Sequence, residues 1–200
     1  GLHQSGLRLG DNVVVQGAGG LGINATAAAK EMGASKVIAI DGLSGRLEMA
    51  MQCGADETID INDYTTPESR VERVKLLTAG RGADVVVEVV GYPSVVPEGL
   101  EMLRNGGSYV EVGNIWPGSN VTLDMSKILW GMTRIAPTAH YDPYILPVAL
   151  DLLVRTRDKY PLTNVMSHNF ALEDIEEAFK QAEWVGKSEG TTITRALVTP

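Results

Sequence analysis

Short β-branched runs alternate with helix-like patterns along most of the chain. The apolar runs fall at 12–16 (NVVVQ), 36–41 (KVIAID), 57–60, 84–90 (DVVVEVV) and 108–112 (SYVEV). The run at 84–90 is almost continuously apolar, as expected of a strand covered by helices on both faces of a parallel sheet. Between these runs lie segments with helical ends. Positions 21–32 stop at Gly33 and 44–53 stop at Gly54, each glycine suiting the left-handed position after a helix. Thr66-Pro67-Glu68 opens a third helix, with a capping hydroxyl, a proline tolerated in the first turn and an acid at the positive end of the dipole. A fourth runs through PSVVPEGLEML to Asn105-Gly106. Right-handed crossovers between such units predict an α/β, doubly wound, mostly parallel sheet with helices on both faces.

After Gly113 the rhythm loosens. The pattern predicts a short strand at 121–124, a helical turn at 126–131 and an edge strand at 133–139 interrupted by Pro137. Two further helices have clear apolar faces, Ile145, Val148, Ala149 and Leu152 on one and Ile175, Ala178, Phe179 and Ala182 on the other. Residues 194–199 alternate like a strand. The change of pattern divides the chain into a domain over 1–139 and a largely helical segment over 140–200.

Composition narrows the class of partner. The formal net charge of −8 over 200 residues argues against a nucleic-acid groove or an anionic membrane surface, both of which reward clustered Lys and Arg. No apolar run approaches the roughly 18–20 residues that span a bilayer, and residues 1–8 lack the layout of a signal peptide. A single cysteine, Cys53, leaves no internal disulfide and no thiolate-rich zinc site. A cytoplasmic location is the expectation. A chain beginning with Gly rather than Met also points to a piece of a longer polypeptide.

Gly17, Gly19 and Gly22 form G-x-G-x-x-G between the first strand and the first long helix. The three glycines have separate tasks: a tight turn, close approach of backbone to a pyrophosphate, and close contact between helix and strand. The uncapped N–H groups and dipole of the helix start then favour phosphate. Asp41 ends the second strand nineteen residues after Gly22. A carboxylate there accepts ribose hydroxyls and repels a 2′-phosphate, which favours NAD(H) over NADP(H). Arg46 follows in the next helix, where it can line the adenine pocket, pair with Asp41 or stand idle in solvent. Its proximity to the ribose also leaves room for a 2′-phosphate.

With these residues placed, GLRLGDNVVVQGAGGLG, VIAIDGLSGRLEMAMQCGADETID, GADVVVEVVGYPSVVPEGLEMLRNGGSYVEVG and YPLTNVMSHNFALEDIEEAF together resemble the medium-chain dehydrogenase/reductase family, in its zinc-type alcohol, polyol and threonine dehydrogenase branch. The resemblance implies a Rossmann fold that binds NAD in enzymes oxidising alcohols by hydride transfer. It assigns Gly17, Gly19, Gly20, Leu21 and Gly22 to the phosphate turn, Asp41 to the ribose and Arg46 to the adenosine. It assigns Val89, Val90 and Gly91 to a strand-end turn passing the cofactor, and Val112, Gly113 and Asn114 to a segment meeting the nicotinamide carboxamide. Arg195 resembles a basic residue that reaches the pyrophosphate in some members, and equally reads as a strand-flanking arginine.

The departures from the family concern the other half of the chemistry. Its enzymes carry a substrate lobe ahead of the cofactor domain, and that lobe supplies the catalytic zinc ligands. Here Cys53 falls in a crossover helix, His3, His140 and His168 are scattered, and a catalytic zinc requires about three protein ligands and an open position. The expectation is an NAD-binding half that needs the lobe for turnover of a small alcohol or ketone, with no catalytic or metal-binding residue of its own. Met125, Trp130 and Met132 are candidates to face the substrate, or belong to a core. The segment 140–200 resembles the return to that lobe and is expected to leave apolar surface uncovered. The edge strand near 133–139 offers a homodimer contact that Pro137 weakens. Three other readings compete: a non-catalytic dinucleotide module, a zinc-free quinone reductase, and a methyltransferase binding adenosylmethionine. Asp41 opposes the second, because quinone reductases of this family commonly prefer NADP, and Gly22 opposes the third.

Overall fold

Side chains on a strand point alternately to its two faces, and this alternation sorts the core into two layers. The computed structural model describes residues 1–114, 116–118, 120–182 and 195–200. Strands β1 (Asn12–Gln16), β2 (Lys36–Asp41), β3 (Glu57–Asp60), β4 (Ala83–Glu88), β5 (Leu103–Glu111) and β6 (Arg134–Pro137) form one sheet in the order β3-β2-β1-β4-β5-β6, with every pairing parallel. Val14, Ile38, Ile59 and Val86 face one layer, where they meet Val74 of helix α4 (Pro67–Leu77) and Val96 and Met102 of α5 (Val95–Met102). Val13, Val15, Val37, Val85 and Val87 face the other, against Ala29 of α2 (Gly20–Glu31) and Leu2 of the short α1 (Leu2–Ser5). Ala39 of β2 and Ala50 of α3 (Ser44–Gln52) extend this second layer. The doubly wound α/β architecture is therefore the one the apolar runs predict.

Chain reversals follow the local chemistry. Gly33 and Gly54 take φ values of 96° and 102° after α2 and α3, as their positions require. Thr66 caps α4, and its partner in the reciprocal capping box is Ser69.

Three elements differ from the pattern. The predicted fourth helix stops at Met102 instead of Asn105, because Leu103 turns extended and Arg104 is drawn to the buried carboxylate of Asp84. Asp84 also accepts from Arg81 and from the backbone of Asn12, which binds the starts of β1 and β5 to β4. Residues 121–124 are no strand. Val121 and Leu123 pack on the α5 layer, the place beside β5 is taken by β6, and Asp124 instead caps α6 (Met125–Gly131) through Ser126. The edge strand is confined to Arg134–Pro137, so Pro137 ends the ladder on the outer strand, where a missing N–H is tolerated.

The C-terminal segment packs onto this unit. Helix α7 (Ile145–Thr156) leads to a 3-10 turn at Leu162–Val165, and Tyr160 and Val165 enter a buried cluster with Ile23, Ala27 and Cys53. Glu31, at the end of α2, accepts from Arg155 at 2.8 Å, Lys159 at 2.6 Å and the Tyr160 hydroxyl at 2.9 Å. A small parallel pair follows, β7 (His168–Ala171) with β8 (Ala196–Thr199), separated in sequence by α8 (Ile175–Ala182). The pattern did not mark β7, and position 194 of the predicted last strand lies outside the described residues. Apolar side chains of α6 and α7 remain uncovered: Trp130 is 80% exposed and Val154 66%. Among the described residues no helix is long and apolar enough to cross a membrane.

Candidate functional site

The carboxyl ends of β1, β2 and β4 converge where the strand order reverses, the position at which open α/β sheets bind ligands. A cavity of about 700 Å³ opens there. Gly17 leaves β1 with φ 93° and its N–H donates to the Ile40 carbonyl at 2.8 Å, so the turn is anchored to β2. Gly22 lies inside the first turn of α2, where a β-carbon would overlap the Gly17 carbonyl oxygen. Gly19 is the opposite case: a β-carbon there meets no atom within 4 Å and would project into open space. No side chain caps the start of α2, which leaves its first-turn N–H groups to a ligand.

Asp41, at the end of β2, sits beside this turn and lines the same cavity. Its Oδ2 accepts from Ala18 N at 2.8 Å, and Oδ1 accepts from Gly42 N at 2.8 Å and Leu43 N at 3.0 Å. The carboxylate is thereby fixed in position, and with about four acceptor sites it retains capacity beyond these three donors. Arg46 lines the cavity and approaches Asp41 with Nη1 at 3.8 Å from Oδ2, which decides between an idle and a paired arginine.

Gly17, Gly19, Gly20, Leu21, Asp41, Arg46, Val89, Val90 and Arg195 all line this one cavity. The Arg195 guanidinium lies against the glycine turn, its Nε 3.0 Å from where a β-carbon on Gly20 would stand. Gly91, Val112, Gly113 and Asn114 lie outside the cavity, on the neighbouring ends of β4 and β5. There Gly91, with φ 86°, backs onto Gly113 so closely that a β-carbon would stand 2.7 Å from its carbonyl oxygen. Gly22 is not among the residues lining the cavity, and its lack of a β-carbon serves the packing of the turn.

Sequence reading missed several walls. Arg70 of α4 and Glu98 of α5 pair through two 2.7 Å hydrogen bonds and close one side of the cavity together with Val95 and Ile61. They stand 28 residues apart, so no local pattern announces them. Phe179, Ala182 and Val198 supply another wall from the C-terminal segment. Glu88 and Glu111, at the ends of β4 and β5, were also unmarked, because a glutamate in an apolar run reads as a solvated position.

A second, more open groove of about 550 Å³ lies at the opposite ends of the strands, lined by Asn12, Lys36 and residues 77–81. Its turn, at residues 78–81, follows the end of α4 instead of leading into a helix, and the Lys36 ammonium is engaged by the Leu77 carbonyl at 2.7 Å. Burial pushes the Cys53 thiol up to about 11, which keeps it protonated and unreactive. Among the described residues no three His, Cys, Asp or Glu side chains gather in a group that could hold a metal ion. His3 and His140 are exposed, and His168 lies in β7 with Nδ1 2.9 Å from the Ser167 hydroxyl and its ring stacked on Phe170.

The reversal point, glycine turn and strand-end acid define a doubly wound Rossmann-type domain. Residues 20–155 match the model of the zinc-binding dehydrogenase family, and the chain belongs to that family. It is 37% identical over 167 residues to an erythritol/L-threitol dehydrogenase of Mycolicibacterium smegmatis, covering 84% of this chain and 44% of that protein. It is 34% identical over 172 residues to an L-threonine 3-dehydrogenase of Bacillus subtilis, covering 86% of this chain and 48% of that protein. Among solved structures, an alcohol dehydrogenase of Thermotoga maritima superposes with a TM-score of 0.85 at 27% identity, covering 97% of this chain and 51% of that one. The chain spans about half the length of these curated relatives.

Proposed function

We propose that the chain is the NAD(H)-binding half of a zinc-type alcohol or polyol dehydrogenase. The observation that carries this reading is the cavity itself: one space contains an uncapped helix start, an open position at Gly19 and a carboxylate fixed at Asp41. These features fit the group. The first-turn N–H groups of α2 and the Arg195 guanidinium would hold the pyrophosphate, and Asp41 would accept the ribose hydroxyls of the adenosine half. Residues 89–91 and 112–114 would form the nicotinamide end. When bound, the dinucleotide supplies the two-electron acceptor for oxidation of an alcohol to a ketone or aldehyde.

What these residues do is bind and orient. Asp41 selects against a 2′-phosphate by charge, and Arg46 partly offsets that charge. Arg70 and Glu98 neutralise one another and present a wall without net charge. The segment 140–200 is proposed as the return to a substrate lobe. The uncovered apolar side chains of α6, of Met132 just after it and of α7, Met125 and Trp130 included, support this, because exposed apolar surface of that extent marks a contact. The zinc and its alcohol chemistry belong in this proposal to residues outside the chain.

Gly19→Val tests the phosphate turn. The φ of −72° at this position suits any residue and the space is open, so the variant should fold with an unchanged melting temperature. It should lose NAD binding in calorimetric titration, because the branched side chain occupies the approach of the pyrophosphate. Full NAD affinity in the folded variant would remove the turn from the site.

A further inference from the structure

The charged side chains that line the cavity, among the described residues, are Asp41, Arg46, Arg70, Glu98 and Arg195. In the proposed function Asp41 and Arg46 stand at the ribose and Arg195 at the pyrophosphate. The pair formed by Arg70 and Glu98 is left without a task. It is buried and held in place: side-chain exposure is 13% for Arg70 and 4% for Glu98. Arg70 Nε and Nη2 donate to the two carboxylate oxygens of Glu98, each at 2.7 Å, and Nη1 donates to the Tyr64 carbonyl at 2.7 Å. Gln16 Nε2 donates to the Val95 carbonyl at 3.0 Å, which ties the first turn of α5, and Glu98 with it, to β1.

These bonds use three of the five guanidinium N–H groups and two of about four carboxylate acceptor sites, and the rest have no protein partner among the described residues. The pair therefore keeps both a donor and an acceptor, side by side, in the wall of a cavity. Ile40, Ile61, Val90 and Val95 line the same cavity. A purine base has two apolar faces and a polar edge, so its site needs apolar side chains and a few placed polar groups. The edge of adenine sets a donor, its exocyclic amino group, beside an acceptor ring nitrogen. A carboxylate next to a guanidinium is the complement of that edge.

We infer that Arg70 and Glu98 determine the choice of base in the dinucleotide, Glu98 accepting from the exocyclic amino group of adenine and Arg70 donating to a neighbouring ring nitrogen. This rests on reading the cavity as a nicotinamide adenine dinucleotide site. With the ribose held at Asp41, the base has one orientation to offer. A 6-oxo group in place of the amino group then sets oxygen against the Glu98 carboxylate with no proton between them. A buried ion pair adds little net stability, because the desolvation of two charges offsets their attraction. What this pair supplies is a fixed acceptor and a fixed donor.

The test is a pair of calorimetric titrations of the protein, with NAD and with nicotinamide hypoxanthine dinucleotide, which carries a 6-oxo group and a protonated N1 where adenine has its amino group and bare ring nitrogen. NAD should bind more tightly by about five- to a hundredfold, the range for one misread base edge. In Glu98→Gln the side-chain amide can turn an N–H toward the oxo group, so the ratio of the two dissociation constants should fall toward one. A pair that only joins α4 to α5 would weaken both dinucleotides in parallel and leave the ratio unchanged. The double variant Arg70→Met/Glu98→Leu removes both charges without leaving one unpaired, so it keeps the test open if Glu98→Gln fails to fold, and it should lose the preference as well. Equal affinity for the two dinucleotides in the unaltered protein, or an unchanged ratio in a folded variant, would overturn the base-reading role and leave the cofactor site standing. Absence of binding by both would overturn the cofactor reading and the base-reading role with it.

Discussion

Gly19 and Gly22 stand three positions apart in one turn, yet a side chain meets opposite surroundings at each. At Gly22 it collides with the backbone of Gly17, so Gly22→Ala should destabilise by about 1–3 kcal/mol or more, as overpacking of a rigid site does. Urea unfolding would measure this, and an unchanged midpoint would contradict the packing role. The spacing of the motif names both glycines but does not separate the one that serves the fold from the one left open to a ligand. The carboxylates divide in a similar way. Hydrogen bonds and cations hold Glu31 and Asp84 below the ordinary carboxylate range. Their stabilisation is present above the pKa of the unfolded chain and is lost as pH falls through the folded value. Glu88 is displaced upward, so its contribution runs the other way and stability declines as pH rises from the ordinary glutamate value toward about 7. Unfolding midpoints measured across this range should peak on the acid side of neutrality and collapse below about pH 4. A midpoint that rises steadily through pH 7 would contradict the upward displacement of Glu88.

The elements were legible wherever local chemistry decides them. β1, β2 and β3 appear over the predicted residues because β-branched runs are bounded by glycine or acid, and α2, α3 and α4 end or begin at their glycine and threonine signals. The failures arose where tertiary partners overrode local pattern. Asp84 pulls Arg104 out of the predicted helix, β6 takes the place beside β5 that 121–124 would need, and β7 gains strand form by pairing with β8. The site divides along the same line. The glycine turn, Asp41, Arg46 and Arg195 could be read from motif and resemblance, whereas Arg70, Glu98, Glu88 and Glu111 act across the sheet and carry no local mark. The joint between α2 and the C-terminal segment is a further contact of this kind. Glu31→Ala removes the acceptor of three donors and leaves the buried Tyr160 hydroxyl unpaired, at a cost of about 1–2 kcal/mol in chemical denaturation. An effect within error would reduce these contacts to surface decoration.

At the scale of the whole molecule, the fold presents one end of a parallel sheet to a ligand and leaves apolar helices at its flank uncovered. The first property supports the proposed cofactor binding, and the second supports the proposed division of labour in which substrate and zinc are handled by a separate lobe. Family membership carries the dehydrogenase class, and the cavity carries the proposed role within it. The central claim is that this cavity holds NAD with Asp41 on its ribose. Parallel titrations of NAD and NADP against the protein and against Asp41→Ala test it most directly. The account predicts saturable binding with preference for NAD, and loss of that preference in the variant because NAD weakens more than NADP. No saturable binding of NAD, or equal weakening of both dinucleotides, would contradict it.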